Sequence, residues 1–367
     1  MIEDEISFEV AKVFYNPEMR FCRSAFSLAI GAIGGQVKVL DAFCASGIRG
    51  IRYAKENKNV SGMVFLDWSE NSIKLARRNA RANKLKNAKF VNSDVNRFLV
   101  ENFYSKKFEF DVIELDPFGT PSPHLYPAFF SMQRKKTVYI SASATDTAVL
   151  CGPETAACMK NYHSKSLNNE FTHENGLRIL VKRIAEVAAE FNFGIEPLFS
   201  ISDRHYLKVF VKCENNAAKA EESMKKLGFV SYCSCGWRNA RRRMIGKCER
   251  CGKETDYGGP LWLGETSNRK FVEKMISLNS RRDYEDGAEI SKKLELIKNE
   301  VGMPPWYFNI HKTCKRTRMN YAPGTERILE RLKRAGFSAV RTHFSDVSIK
   351  TDAGVEEVEK AIKTARG

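Results

Sequence analysis

Residues 37–52 read Val37-Lys38-Val39-Leu40-Asp41-Ala42-Phe43-Cys44-Ala45-Ser46-Gly47-Ile48-Arg49-Gly50-Ile51-Arg52. A short apolar run ends in an acid. A loop of small residues follows, and a segment able to form a helix begins at Gly47. Glycine and other small side chains there let a ligand approach the backbone closely. The same form returns downstream. Met63-Val64-Phe65-Leu66-Asp67 is a second apolar run closed by an acid. Lys89-Phe90-Val91 leads to Asp94, Asp111-Val112-Ile113-Glu114-Leu115 to Asp116, and Thr137-Val138-Tyr139-Ile140 towards Asp146. Helix-like stretches lie between, one over Gly47 to Glu56 and one that Ser69 can N-cap, running through Ile73, Leu75 and Ala76 to about Asn83. Short strands alternating with helices predict βαβ units and a parallel sheet, an α/β fold.

Beyond this core the pattern predicts a long helix over Gly176 to Phe191, with Leu177, Leu180, Ile184, Val187 and Ala188 on one stripe. Two strand-like runs, Ile195 to Ile201 and Tyr206 to Val211, then predict an antiparallel pair closing the sheet edge. The polar segment Cys213 to Ala220 is the expected boundary between two domains, 1–215 and 216–367. A chain of 367 residues suits that division. Its 43% hydrophobic and 28% charged residues are those of a globular protein and exclude a disordered or fibrous chain. The formal charge of +16 must sit on the surface, because lone buried cations are costly. It points to a polyanionic partner, nucleic acid first and an anionic membrane second. No apolar run is long enough to span a bilayer, and the acidic start Met1-Ile2-Glu3-Asp4-Glu5 suits neither a signal nor a transit peptide. A cytoplasmic location is expected. The ten cysteines should then be mostly reduced, so a cysteine cluster points to metal.

The loop after Asp41 carries a cofactor reading. The G-x-G-x-x-G fingerprint of dinucleotide sites is absent, since only Gly47 and Gly50 are present. One or two glycines behind an acid suit S-adenosylmethionine, whose cationic sulfonium tolerates nearby carboxylates. Asp67 can accept both ribose hydroxyls of an adenosine, and Asp94 can accept from an adenine amino group. An ordinary βα turn is the competing reading. Acids at three consecutive strand ends favour the ligand, because ligands sit at the carboxyl ends of parallel strands.

Asp116-Pro117-Phe118-Gly119 ends the fourth strand, where a methyl acceptor would lie. It resembles the Asp/Asn-Pro-Pro-Tyr/Phe motif of amino-group methyltransferases, with Phe118 in place of the second proline. An exocyclic base amine is conjugated with its ring and is a poor nucleophile. A fixed acceptor such as Asp116 can take its hydrogen bond, turn the lone pair towards the methyl group and draw off the proton. Pro117 stiffens the turn and Phe118 can stack on a base. An Asp-Pro strand stop without function is the plainer alternative.

Cys233-Ser234-Cys235 and Cys248-Glu249-Arg250-Cys251 are separated by the twelve residues Gly236 to Lys247. Four thiolates can bind Zn²⁺ tetrahedrally and would leave no open position, so the site would be structural rather than catalytic. Reduced cysteines without a metal are the alternative, and the first pair is C-x-C rather than C-x-x-C. Trp237, Arg238, Arg241, Arg242, Arg243 and Lys247 lie between the pairs. Further basic residues follow, among them Lys312, Lys315, Arg316, Arg318, Arg327, Arg331 and Arg341. Basic and aromatic residues held by a metal suit phosphate contacts.

Phe14-Tyr15-Asn16-Pro17, Arg23, Gly47-Ile48-Arg49-Gly50-Ile51-Arg52, Asp116-Pro117-Phe118-Gly119, Ala144-Thr145-Asp146, Leu150-Cys151-Gly152 and Pro260-Leu261-Trp262-Leu263-Gly264 occur in that order. Together they resemble the tRNA guanine N2-dimethyltransferase family, which modifies the guanine at tRNA position 26, in its archaeal form. The resemblance implies a class I, Rossmann-like methyltransferase domain followed by a smaller α+β RNA-binding domain with a four-cysteine zinc site. It implies that Arg23, Arg49, Arg52, Asp67, Asp94 and Val95 bind S-adenosylmethionine. Asp116 is then the acceptor for the guanine amine, with Pro117 in its turn and Phe14 and Phe118 flanking the base. Competing functions are a methyltransferase for another tRNA or rRNA guanine or for DNA adenine, and a zinc-bearing RNA-binding protein with a degenerate Rossmann domain.

Overall fold

A computed structural model describes residues 1–365 of the chain. Each apolar run closed by an acid forms a strand: β1 (Val37–Asp41), β2 (Val60–Asp67), β3 (Ala88–Asn92), β4 (Val112–Leu115) and β5 (Thr137–Ala144). These five are parallel. Two longer strands, β6 (Phe193–Asp203) and β7 (Tyr206–Asn215), join them antiparallel at the β5 edge. The order across the sheet is β3-β2-β1-β4-β5-β7-β6. This is a Rossmann-like fold with a mixed sheet, and the antiparallel pair lies where its sequence pattern predicts it.

Strand alternation explains why near-continuous apolar runs were needed, since both faces of the sheet are covered. Leu40, Val64, Ile113, Ile140 and Val209 face helices α4 (Val95–Ser105), α5 (Ser122–Met132) and α6 (Thr172–Glu190). Val39, Phe65, Val112 and Phe210 face α1 (Arg20–Ala32), α2 (Ile48–Glu56) and α3 (Glu70–Ala82). Ser69 caps α3 by accepting from the Ser72 N–H, as its position predicts.

The expected boundary segment Cys213–Ala220 is ordered as the end of β7 and the start of a helix, Ala217–Lys225. Both sheet cores draw on residues beyond it. Val230, Leu261 and Trp262 complete the first, while Phe271, Val272, Met275 and Ile290 complete the second. Trp262 belongs to a three-stranded antiparallel sheet of Leu227–Tyr232, Arg238–Arg241 and Asp256–Trp262. Residues Phe308 to Ala365 form a third core of their own, under a small antiparallel sheet with three helices.

Candidate active site

The acids that close the strands all reach the carboxyl edge of the parallel sheet, the edge at which such sheets hold ligands. The loop from β1 to α2 is drawn tightly over this edge. Ala45 has φ 46° and Gly47 has φ 81°, both left-handed. A side chain on Gly47 would come within 2.9 Å of the Ala76 Cβ, so glycine is required by both conformation and packing. The second glycine serves β2. A Cβ on Gly50 would lie 2.5 Å from the Phe65 ring, and the Gly50 N–H donates to Asp41 Oδ2 at 3.2 Å.

Asp67 is buried at the end of β2 and pins this loop. Its Oδ2 accepts from the Ala45 N–H and its Oδ1 from the Ser69 N–H, each at 2.9 Å. A carboxylate oxygen has a second lone pair, so both oxygens can still accept a hydroxyl. Asp94 is exposed and caps α4 through the Arg97 N–H at 2.9 Å, with Val95 buried behind it. Two neighbours were missed from sequence. Trp68 follows Asp67 and is 80% exposed. His124 contacts Phe43 at 5.0 Å between ring centroids and hydrogen-bonds Asn96 at 2.8 Å. An aromatic directly after a strand-end acid was the available signal for Trp68.

Asp116 leaves β4 beside two basic side chains. Arg49 on α2 forms an ion pair with its Oδ2. Burial pushes the Asp116 carboxyl up, but Arg49 and then Lys208 outweigh it and hold it down at about 2. Asp116 is therefore ionised, a strong hydrogen-bond acceptor and a weak base. Phe118 is 77% exposed and Phe14 is 60% exposed, and the two rings meet edge to face at 4.8 Å. The turn is tied to the next strand, since the Gly119 N–H donates to Thr145 Oγ1 at 2.8 Å and the Thr145 N–H to Gly119 O at 2.9 Å. Asp146 accepts from the Tyr162 hydroxyl at 2.8 Å. The Gly119–Thr145 bonds and the Phe14–Phe118 contact join three of the sequence motifs into one mouth of ionised carboxylate and exposed aromatic rings.

Arg23 lies close enough to help hold Asp116 ionised. It also pairs with buried Glu3, through Nε at 3.0 Å, and donates to Asn16 O at 3.1 Å. Tyr15 donates to the same Glu3 at 2.7 Å. Burial pushes the Glu3 carboxyl up, and Arg23 more than compensates, leaving it below the usual range. Arg52 differs from the sequence expectation. Its side chain is fully buried and its guanidinium is enclosed by Glu56 at 2.6 Å, Asp4 at 2.7 Å and Glu3 at 3.2 Å. It has no exposed surface, and it anchors the hairpin of Ile2–Glu3 and Ile6–Ser7 to α2. A helical i, i+3 step separates Arg49 from Arg52, and only tertiary packing sends the two to different neighbours.

The four cysteines do converge. The sulfurs of Cys233, Cys235, Cys248 and Cys251 all lie within 4.8 Å of one another. Two of the separations are 3.5 and 3.6 Å. Four ligands about 2.3 Å from a tetrahedral centre lie about 3.8 Å apart, so the residues fit zinc. The C-x-C pair makes a knuckle one residue tighter: Gly236 N–H donates to Cys233 O, whereas Gly252 N–H donates to Cys248 O. Gly236 and Gly252 have φ 93° and 72°. The exposed Cys251 thiol is held down at about 7, chiefly by the Lys253 backbone N–H.

The basic run between the cysteine pairs divides. Arg238 is buried, paired with Glu170 at 2.6 Å and stacked on Phe308 at 3.9 Å, so it is not free to contact phosphate. Arg316 also reaches Glu170, at 3.3 Å. Arg241 pairs with Glu249 at 3.1 Å on the surface. Arg242, Arg243 and Lys247 are exposed. No helix among the described residues is long and apolar enough to cross a membrane.

A family model described as N2,N2-dimethylguanosine tRNA methyltransferase matches residues 1–363. The chain is 34% identical over 370 residues to a tRNA (guanine(26)-N(2))-dimethyltransferase of Methanobrevibacter smithii, covering 98% of this chain and 93% of that protein. It is 32% identical to a tRNA (guanine(26)-N(2)/guanine(27)-N(2))-dimethyltransferase of Aquifex aeolicus, over 96% of this chain and 90% of the other. Trm1 from Pyrococcus horikoshii, solved in complex with S-adenosyl-L-methionine, superposes with a TM-score of 0.88 at 30% identity, covering 99% of each chain. Ordered motifs, sheet topology and full-length similarity agree, and the chain belongs to the N2,N2-dimethylguanosine tRNA methyltransferase family.

Proposed function

We propose that this protein transfers two methyl groups from S-adenosylmethionine to the exocyclic N2 of the guanine at position 26 of tRNA. The observation that carries the reading is Asp116: an ionised carboxylate at the end of β4, under two exposed aromatic rings. Asp116 accepts a hydrogen bond from the guanine amine, which turns the nitrogen lone pair out of conjugation. Phe14 and Phe118 hold the base once it has left the tRNA stack, a step that costs a few kcal/mol. The bound donor supplies a sulfonium methyl whose C–S bond breaks as the N–C bond forms. The methylated nitrogen is then acidic enough to lose its proton to a weak base such as Asp116. Placement supplies most of the acceleration.

Asp67 suits the ribose hydroxyls, Asp94 and Val95 the adenine edge, and Arg23 and Arg49 the carboxylate end of the donor. Residues 1–215 form the catalytic unit in this reading. Residues 216–367, an α+β unit with a structural zinc on Cys233, Cys235, Cys248 and Cys251, hold the tRNA body through phosphates. Phosphate contacts position the substrate and carry little sequence information.

The test combines the enzyme, radiolabelled S-adenosylmethionine and a tRNA transcript, with nucleoside mass spectrometry of the product. N2,N2-dimethylguanosine is expected, and it should vanish when guanine 26 is replaced by adenine. Label that persists on the substituted transcript assigns the enzyme to another base. Asp116→Ala should lower turnover by about 10²–10⁴. Retention of half the wild-type rate would remove Asp116 from the chemistry.

A further inference from the structure

Glu114 and Lys208 are charged residues inside strands that are otherwise apolar. In parallel register Asp41 on β1 lies opposite Glu114 on β4, and on the antiparallel side Ser143 of β5 lies opposite Lys208 of β7. Alternation puts all four on the α1–α2 face of the sheet. The side chains of Glu114 and Lys208 have no exposed surface. They form an ion pair through Lys208 Nζ and Glu114 Oε1, above the Phe26 ring, which lies 4.6 Å from Nζ. Tyr53 donates to the other oxygen, Oε2, at 2.8 Å. Ser141, on the same face, leaves its hydroxyl oxygen without a partner, while the Ser143 hydroxyl lies towards Asp116 and helps hold it ionised.

The cluster ends at the site. Arg49 has two carboxylates within reach: Asp116, with which its Nη2 pairs, and Glu114, 3.9 Å from its Nη1. Which of them holds the guanidinium depends on whether Glu114 is already neutralised. A buried carboxylate stripped of its cation is costly and draws the nearest cation to itself. Here Lys208 and Tyr53 satisfy Glu114, and Arg49 turns to Asp116.

We propose that Lys208 is a positioning residue for methyl transfer: by neutralising Glu114 beneath the site, it leaves the Arg49 guanidinium to hold Asp116 ionised and aimed as the amine acceptor. This rests on the role given to Asp116 above. Lys208 touches neither substrate nor donor; it acts through Glu114 and Arg49, in addition to the pull of its own charge on Asp116. Other titratable neighbours are Asp41, Cys22 and Tyr206, all buried on the same face. The remaining cation, Arg23, also acts on Asp116 but is held by Glu3, so it does not neutralise Glu114 in place of Lys208.

The test is the pH profile of kcat in three proteins, with the KM for tRNA measured alongside. In the wild type the rate should show no acidic limb from Asp116 above pH ~4, well above the carboxyl's titration. In Lys208→Met, Arg49 moves to Glu114 and Asp116 loses its cation. The kcat at pH 6 should fall at least tenfold, a limb should appear between about pH 4 and 6, and the KM should stay within about twofold. Adding Glu114→Gln removes the unpaired charge and should restore most of kcat and abolish the limb. A purely packing role for Lys208 predicts neither the limb nor the rescue. An unchanged profile in Lys208→Met, or a double variant no better than the single, overturns the proposal. Should Lys208→Met fail to fold, Lys208→Gln takes its place with the same outcomes. Should the wild type fail to methylate tRNA, the function proposed above falls. The titration of the Asp116 carboxyl by ¹³C NMR in the same variants then decides this proposal by itself, rising in the single variant and returning in the double.

Discussion

Single residues at this site are set by the charges around them more than by their own chemistry. Asp41 is buried at the end of β1 and Asp116 is half-buried just past the end of the neighbouring β4, and their carboxyls move in opposite directions. Asp116 is held at about 2, because Arg49 and Lys208 outweigh its burial. Asp41 is pushed up to about 7: burial comes first, and Glu114 and Asp116 add to it while Arg49 only partly opposes. An aspartate with a raised folded pKa is neutral in both states at low pH and ionised in both at high pH. Stability from this group is therefore lost as pH rises from about 4 through 7. Asp41→Asn keeps an acceptor for the Gly50 N–H and imitates the neutral acid. The variant should melt with the wild type at about pH 4 and at a higher temperature than the wild type at pH 8. A variant less stable at both values, by calorimetry, would mean that the carboxylate itself is needed.

At the scale of elements, glycine and cysteine positions fix the loops that carry the chemistry. Gly50 admits Phe65 against α2, and Gly47 admits α3 against the cofactor loop. The cysteine knuckles act likewise on the second sheet, where Trp237 O accepts from the Cys233 N–H and Lys253 O from the Cys248 N–H, each pair closing a short loop. Those loops flank the strand Arg238–Arg241 and hold its basic end in place. Loss of a structural zinc ligand removes folding energy locally. Cys248→Ser should lose bound zinc, measured by plasma mass spectrometry, and weaken tRNA binding at least tenfold. Binding of S-adenosylhomocysteine should stay within about twofold, since neither core of the main sheet includes any of the four cysteines. Equal losses for both ligands would show that the cluster supports the whole molecule.

At the scale of the molecule, two carboxylates near the start of α6 tie distant segments together. Glu170 receives Arg238 at 2.6 Å, Arg316 at 3.3 Å and the Asn309 N–H at 2.9 Å. Glu174 receives Arg178 at 2.9 Å and Lys350 at 2.6 Å. Burial pushes the Glu170 carboxyl up, but Arg238 and Arg316 outweigh it and leave it below the usual range. Its contribution is therefore present above its unfolded pKa and lost as pH falls through the folded one. Part of the chain's positive charge is thus taken up in internal pairs. The exposed remainder is what a tRNA would meet. Replacing Arg242, Arg243 and Lys247 with alanine should raise the KM for tRNA and flatten its salt dependence, by about 0.7–0.9 in slope for each phosphate no longer neutralised. Cofactor affinity should not move. An unchanged slope in the folded triple variant would make this run ordinary surface.

The parallel sheet, its antiparallel edge pair, the strand-end acids, the Asp116 turn and the cysteine cluster were all legible in the amino-acid order. Each rests on local chemistry: apolar runs that must be buried on both faces, glycines with left-handed backbone, and thiols at ligand spacing. Which charges are free was settled by three-dimensional packing instead. Arg49 and Arg52 sit one helical turn apart with similar flanks, yet one meets Asp116 and the other is enclosed by Glu3, Asp4 and Glu56. Arg238 looks like its neighbours in the basic run and is buried against Glu170. Glu114 and Lys208 were visible as charges interrupting apolar strands, but their pairing spans 94 residues of chain. Ion pairs between residues far apart in sequence leave no periodicity in it, because the partner is chosen by the packing of strands and helices.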